Sequence, residues 1–181
     1  MLASVMIADV EFRKLVSGRW LVPLLALVGA EEGARFAVML ARLGLSRSSL
    51  AASLAQLQEA GWLHRNPGHG HPLRPEYILT PAGERVAGFC MKVMAERARL
   101  GIEPGHLPRW SLPLLHRLDG GPARFSALRS ALLPVTPRAL SLTLKQMLSV
   151  DLIDRALEDE FPPVAIYGLS GRGAQLAAAM R

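Results

Sequence analysis

The feature that most constrains this chain is that it spells out one folding unit twice. Tyr167-Gly168-Leu169-Ser170-Gly171-Arg172-Gly173 stands 90 positions after Tyr77-Ile78-Leu79-Thr80-Pro81-Ala82-Gly83. At the same offset, Arg109-Trp110 answers Arg19-Trp20, and Pro113-Leu114-Leu115 answers Pro23-Leu24-Leu25. Ala123-Arg124-Phe125 answers Ala34-Arg35-Phe36 after a one-residue slip. Leu140, Leu144 and Met147 then answer Leu50, Leu54 and Leu57 with the slip restored. Compensating gaps between elements, with apolar positions held in phase, are what duplication of a folded unit leaves behind. With 181 residues, 50% of them hydrophobic, the chain can bury two small cores.

The repeated unit is legible in Ser46 to Gly83. Ser46 is placed to cap a helix, its hydroxyl accepting from an orphan N–H of the first turn. Leu50, Leu54 and Leu57 recur at i, i+4 and i+7 along one helical face, and Gly61 stops the helix. Trp62-Leu63-His64-Arg65 reads as a short strand. A turn-rich loop with Pro67, Gly68, Gly70, Pro72 and Pro75 follows, and Tyr77-Ile78-Leu79 returns as the second strand. Thr80 then caps a helix with Pro81 at its first position. A helix running into a β-hairpin is the layout of a winged helix-turn-helix, in which the helix commonly enters the DNA major groove and the wing lies along the backbone.

The remaining elements fit around that unit. Residues 2–17, with Val5, Ile7, Ala8, Phe12, Leu15 and Val16, predict an amphipathic helix. Trp20 to Val28 predicts a buried one, Glu31-Glu32-Gly33 a turn, Arg35-Phe36 a short edge strand, and the stretch to Leu43 a helix. Pro81 to Leu100 is expected as a long helix with Val86, Phe89, Cys90, Val93 and Met94 on its apolar stripe. In the second copy, helices are expected over 109–118 and 125–132. Thr136 and Pro137 start another, and Gly171 starts the last. Strands are expected over 152–155 and 165–169. The fold class is therefore mainly α with small β-wings, as two tandem winged helix-turn-helix domains at 1–100 and 101–181, with 101–108 as linker. Residues 92–107 would take, in the second copy, the place of residues 2–17 in the first.

Charge points towards a polyanion. The formal net charge is +6 and the pI about 10.4. The excess is shared, with 12 basic and 9 acidic residues through Gly105 and 9 and 6 from His106. A single cysteine, Cys90, cannot form an internal disulfide and suits the reducing cytoplasm. The opening residues lack a signal-peptide pattern, and the longest apolar run, WLVPLLALVGA, is far short of the roughly 20 residues of a membrane span. The mean hydropathy of +0.23 is attributed to Leu/Ala-rich helical packing and to a protein interface.

GARF and PARF before a short helix, a Ser/Thr-capped helix with three spaced Leu/Met, and the exits LRPEYILTPAGE and PPVAIYGLSGRG together resemble the HxlR branch of MarR-related winged-helix regulators. The resemblance spans nearly the whole chain. It implies bacterial transcription regulation, DNA binding, and dimerisation through N- and C-terminal helices. Family members usually carry one domain per chain, whereas this chain carries two unlike copies. The redox-responsive members use a cysteine near the N-terminus, where this chain has none.

Candidate DNA-binding residues follow from the helical wheel. With Leu50 inward, Ser48, Ala52, Ala55, Gln56 and Glu59 face outward, Ser49 sits at the edge, and Ser46 and Arg47 form the first turn. Arg, Gln and Ser can bond to base edges or phosphates, and alanines let a helix approach closely. The plain alternative is an ordinary solvated helix face. In the second copy the set is Arg138, Leu142, Lys145 and Gln146, where Leu142 could touch a thymine methyl or pack against protein. The first wing offers His64, Arg65, His69, His71 and Arg74 to phosphate. The second carries Glu158-Asp159-Glu160, which would repel phosphate or form a solvated turn.

His69, His71 and His64 are potential zinc or nickel ligands, but without a nearby cysteine the flexible-loop reading is preferred, and no metal or cofactor is expected. Cys90 reads as a buried small hydrophobe rather than a sensor. Trp20, Trp110 and Trp62 read as core. No catalytic constellation is present, so the chain is read as a non-enzymatic DNA-binding regulator whose first repeat is the better DNA reader. Its expected partners are double-stranded DNA and a second copy, through helix 2–17 and the C-terminal helices. The competing class is a protein-interaction adaptor that has lost DNA binding.

Overall fold

Leu24, Leu25, Val28, Met39, Leu50, Leu54 and Leu57 carry the first core, each at most 1% exposed. Their counterparts Leu114, Leu115, Leu118, Leu128, Leu140, Leu144 and Met147 are buried in a second core. The computed structural model describes residues 8–66, 75–103, 106–158 and 163–181, and the chain divides into the units Met1–Met94 and Ala95–Arg181.

The first unit opens with α1 (Asp9–Leu15). Glu11 reaches back to accept from the Ala8 N–H at 3.1 Å, and Asp9 and Glu11 at its start, with Arg13 and Lys14 at its end, complement the helix dipole. Phe12 packs edge-on against Phe89, ring centroids 6.2 Å apart. Val5 and Ile7 of the predicted 2–17 helix lie outside the described residues. α2 (Leu21–Ala30) is buried nearly all round, as its composition demands. β1 (Ala34–Arg35), α3 (Phe36–Leu43), α4 (Arg47–Glu59), β2 (Leu63–Asn66), β3 (Glu76–Leu79) and α5 (Pro81–Arg99) complete the unit, α5 running on into the second. The sheet order is β1-β3-β2, all antiparallel, with Ala34 opposite Tyr77 and Leu63 opposite Leu79.

The second unit contains α6 (Ser111–Asp119), β4 (Ala123–Arg124), α7 (Phe125–Ala131), α8 (Pro137–Ser149), β5 (Ile153–Glu158), β6 (Val164–Leu169) and α9 (Gly171–Ala178). Its sheet order is β4-β6-β5, with Ala123 opposite Tyr167 and Ile153 opposite Leu169. The slip in the sequence repeat has a structural cause. α6 has 9 residues where α2 has 10, which removes one position. The turn before α8 spans 132–136 where that before α4 spans 44–46, and α7 is one residue shorter than α3, which restores it. α4 and α8 have 13 residues each.

The end of α5 serves the second unit much as α1 serves the first. Ile102, 90 positions after Phe12, is buried although it lies in the expected linker. Arg99 donates to Gln175 at 2.9 Å, where Arg85, 90 positions before Gln175, pairs with Glu11 at 3.5 Å. The Arg172 guanidinium braces this arrangement by donating to the Val150 carbonyl at 3.0 Å and the Leu100 carbonyl at 2.6 Å, both at helix ends.

Each wing is latched at its base by one hydroxyl. Thr80 Oγ1 donates to the Gly61 carbonyl at 2.6 Å and accepts from the Gly83 N–H at 3.0 Å. Ser170 Oγ donates to the Asp151 carbonyl at 2.7 Å and accepts from the Gly173 N–H at 3.0 Å. The latch joins the end of the preceding helix to the start of the following one. It requires a left-handed residue after that helix, Gly61 at φ 75° and Asp151 at φ 56°. It also brings α5 and α9 so close to the wing that a Cβ on Gly83 would overlap the Trp62 carbonyl, and one on Gly173 the Leu152 carbonyl.

Two expectations change. Trp20 and Trp110 are half-buried rather than core, because each precedes its helix at the surface edge. Their outer ring faces are covered by the adjacent guanidiniums, Arg19 at 4.9 Å and Arg109 at 5.3 Å. Trp62 is buried, as its counterpart Leu152 is. The second wing's first strand runs to Glu158 rather than ending at Arg155, because pairing with β6 continues to Glu158 opposite Val164.

Candidate nucleic-acid interface

α3, the 44–46 turn and α4 form the first helix-turn-helix. Gly44, left-handed at φ 61°, closes α3, and the buried Leu45 pins the turn to the core. Ser46 caps α4, accepting from the Ser49 N–H at 3.1 Å. Its hydroxyl also lies 3.1 Å from that of Ser48 and 2.8 Å from that of Ser49, so three hydroxyls gather at the helix start. Ser46, Arg47 and Ser48 are exposed and Ser49 half-buried. In the second unit Leu132 and Val135 pin the turn, and Thr136 caps α8 by accepting from the Ala139 N–H at 3.2 Å.

The inward faces of the two helices match residue for residue. Leu50, Ser53, Leu54 and Leu57 correspond to Leu140, Thr143, Leu144 and Met147, all buried. Even the buried hydroxyls are satisfied alike, Ser53 donating to the Ser49 carbonyl and Thr143 to the Ala139 carbonyl, both at 2.9 Å. The outward faces do not match. Arg47, Ser48, Ala51, Ala52 and Ala55 are exposed on α4, and Pro137, Arg138, Ser141, Leu142 and Lys145 hold the equivalent positions on α8, also exposed.

Gln56 and Gln146 are the shared exception to this divergence. Gln146 is half-buried. Gln56 is exposed and lines a cleft of about 370 Å³ with Lys14, Ser17, Leu21, Glu59, Ala60 and Trp62.

Both helices begin with a cation and no acid in the first turn. That opposes the helix dipole, which favours acids there, and α1 and α5 do carry such acids. Arg47 and Arg138 thus stand where they cost their own helices stability and where a phosphate or a guanine edge would compensate them.

On the wings, His64 and Arg65 are exposed on β2, and His69, His71 and Arg74 lie outside the described residues. Arg155, 90 positions after Arg65, is exposed on β5 and also faces tyrosine across the ladder, Tyr167 where Arg65 has Tyr77. Arg155 belongs neither to an outward helix face nor to the wing loop, and the repeat offset alone marks it. Glu158 is a correction: it is a strand residue whose carboxylate is held by Arg124 at 2.6 Å, not part of a freely repelling turn. Arg35 holds Glu76 at 2.9 Å in the first sheet, so one acid at the edge of each wing is already neutralised. Asp159 and Glu160 lie outside the described residues.

No group of three or more potential metal-binding side chains occurs among the described residues, and no helix among them is long and apolar enough to cross a membrane. Cys90 is fully buried on α5, and burial pushes its thiol far above the usual range, which keeps it protonated and unreactive.

The family described as HxlR-like helix-turn-helix matches residues 15–103 and, separately, residues 107–181. No curated protein sequence matches the chain. Among solved structures, a MarR-family transcriptional regulator from Enterococcus faecalis V583 is 28% identical over 46% of this chain and 77% of its own, at a TM-score of 0.42. A MarR-family regulator from Porphyromonas gingivalis W83 is 19% identical over 47% and 78%, at a TM-score of 0.39. The reduced form of the transcriptional regulator YodB from B. subtilis is 22% identical over 56% and 83%, at a TM-score of 0.38.

Proposed function

Because this chain belongs to the HxlR-like helix-turn-helix family, it is a DNA-binding transcriptional regulator, and we propose that its two units read two unlike halves of one site. The observation that carries this reading is the pair of helices α4 and α8, matched on their buried faces and divergent on their exposed ones. Duplication kept the scaffold and released the reading surface. In the first unit Arg47, Ser48 and Ser49 meet the groove, the small Ala52 and Ala55 let the helix approach closely, and Gln56 follows further along the helix. Arg138, Lys145 and Gln146 are the second set. The first unit is the better reader, since its wing adds His69, His71 and Arg74 to Arg65, while the second wing adds Asp159 and Glu160. The chain acts in the cytoplasm, where bacterial DNA lies.

The wings test this reading through salt. Arg65→Ala and Arg155→Ala are each expected to weaken binding to all duplexes and to lower the slope of log affinity against log salt by about 1. Unchanged slopes in both variants would remove the wings from the interface.

The regulator also pairs with a second copy in this reading. Val10 on α1 and Met91 on α5 are the exposed large apolar side chains of the first unit among the described residues, at 64% and 40%. They belong with residues 2–17 and the C-terminal helices as the pairing surface. Sedimentation at micromolar concentration should give a dimer that Val10→Asp dissociates. A wild-type chain that sediments only as a monomer contradicts the pairing.

A further inference from the structure

We propose that Leu142 reads a thymine by packing on its 5-methyl group, and so sets a base preference of the second unit. This rests on the DNA reading proposed above. Leu142 is 59% exposed, midway along the outward face of α8. The core has no use for it there, because Leu140, Leu144 and Met147 already fill the buried stripe. An exposed leucine is ordinary on a protein surface, and Leu133 and Leu157 of the same unit are exposed too; its setting on the helix face is what singles Leu142 out. Arg138 precedes it by four residues and Lys145 follows by three, so both lie on the same helical face, and both are exposed.

Two cations draw that face onto a phosphate-lined groove. The leucine between them is then carried to the base edges with no donor or acceptor to offer. In the major groove the apolar feature at the base edges is the thymine methyl. The matching position on α4 is Ala52, a single methyl with far less reach. The two units therefore differ in which bases they favour as well as in charge.

The probe is a duplex enriched by the full-length chain from a random-sequence pool. Each thymine is replaced in turn by uracil, which deletes the methyl and nothing else, and dissociation constants are measured for wild type, Leu142→Ala and Leu142→Met. At one thymine in one half of the site, wild type is expected to lose about three- to fivefold in affinity on methyl removal, the worth of one buried methyl. Leu142→Ala should bind the thymine and uracil duplexes equally, with an unchanged melting temperature, and Leu142→Met should retain the discrimination. If every replacement affects wild type and Leu142→Ala alike, the leucine assignment is wrong while DNA reading stands. A chain that enriches no duplex overturns both.

Discussion

Gly83→Ala is expected to cost the first unit about 3 kcal/mol or more, a large share of the roughly 5–15 kcal/mol that holds a typical domain folded. The added Cβ would overlap the Trp62 carbonyl oxygen, which is backbone and cannot rotate aside. That carbonyl already accepts from the Thr80 N–H at 3.0 Å, and Trp62 is buried, so moving it would break the latch and open the core together. Gly173→Ala meets the Leu152 carbonyl in the same way, and an equal loss is expected in the second unit. Gly88→Ala is the control. It lies on the same helix as Gly83 with nothing near its would-be Cβ, and it should stabilise by about 0.5–1 kcal/mol through helix propensity. Thermal unfolding checks all three, since 3 kcal/mol is roughly 10 °C or more for a domain of this length. Wild-type melting of Gly83→Ala would refute the close packing of α5 on the wing.

Arg47→Ala should separate binding from stability. Specific binding is expected to weaken by roughly 1–3 kcal/mol, as for loss of a base-edge or phosphate contact from the first turn of a reading helix. Melting should hold or rise slightly, because the variant removes a cation from the positive end of the α4 dipole. Arg138→Ala on α8 should behave likewise, with the loss confined to the other half of the site. A residue that served only its own helix would move the two measurements together. Unchanged affinity in both variants would mean that these helix starts do not face the DNA.

Much of the fold was legible because the chain repeats itself. An offset of 90 with one compensated slip places Leu63–Leu79 and Ile153–Leu169 at equivalent points of the two ladders, and the sheets pair them so. Caps were readable at Ser46, Thr80 and Thr136 because a hydroxyl three residues before a helical N–H is a local signal, and all three accept from that N–H. What escaped depended on where residues lie in three dimensions. Trp20 reads as core because Trp110 matches it across the repeat, yet it stands outside its helix with Arg19 over its ring. Glu158 looks like part of an acidic turn, yet ladder pairing extends β5 and brings its carboxylate to Arg124, 34 positions earlier. The need for glycine at 83 and 173 depends on the carbonyls of Trp62 and Leu152, each before the first strand of its wing, which no local pattern reveals. For the candidate site, the residues read as outward on α4, and Arg138, Leu142 and Lys145 on α8, are exposed, because a helix with a strict leucine stripe has little freedom about which side faces water; Gln146, read as outward with them, is half-buried. Arg155 was missed because a lone strand cation carries no local signal, and only its match to Arg65 marks it.

The most direct measurement is selection of duplexes from a random pool by the full-length chain, repeated with Arg47→Ala and with Arg138→Ala. With two readers in one chain, the enriched site has two unlike elements, Arg47→Ala relaxing preference in one and Arg138→Ala in the other. No enrichment at low salt, or a single element altered by both substitutions, would contradict it.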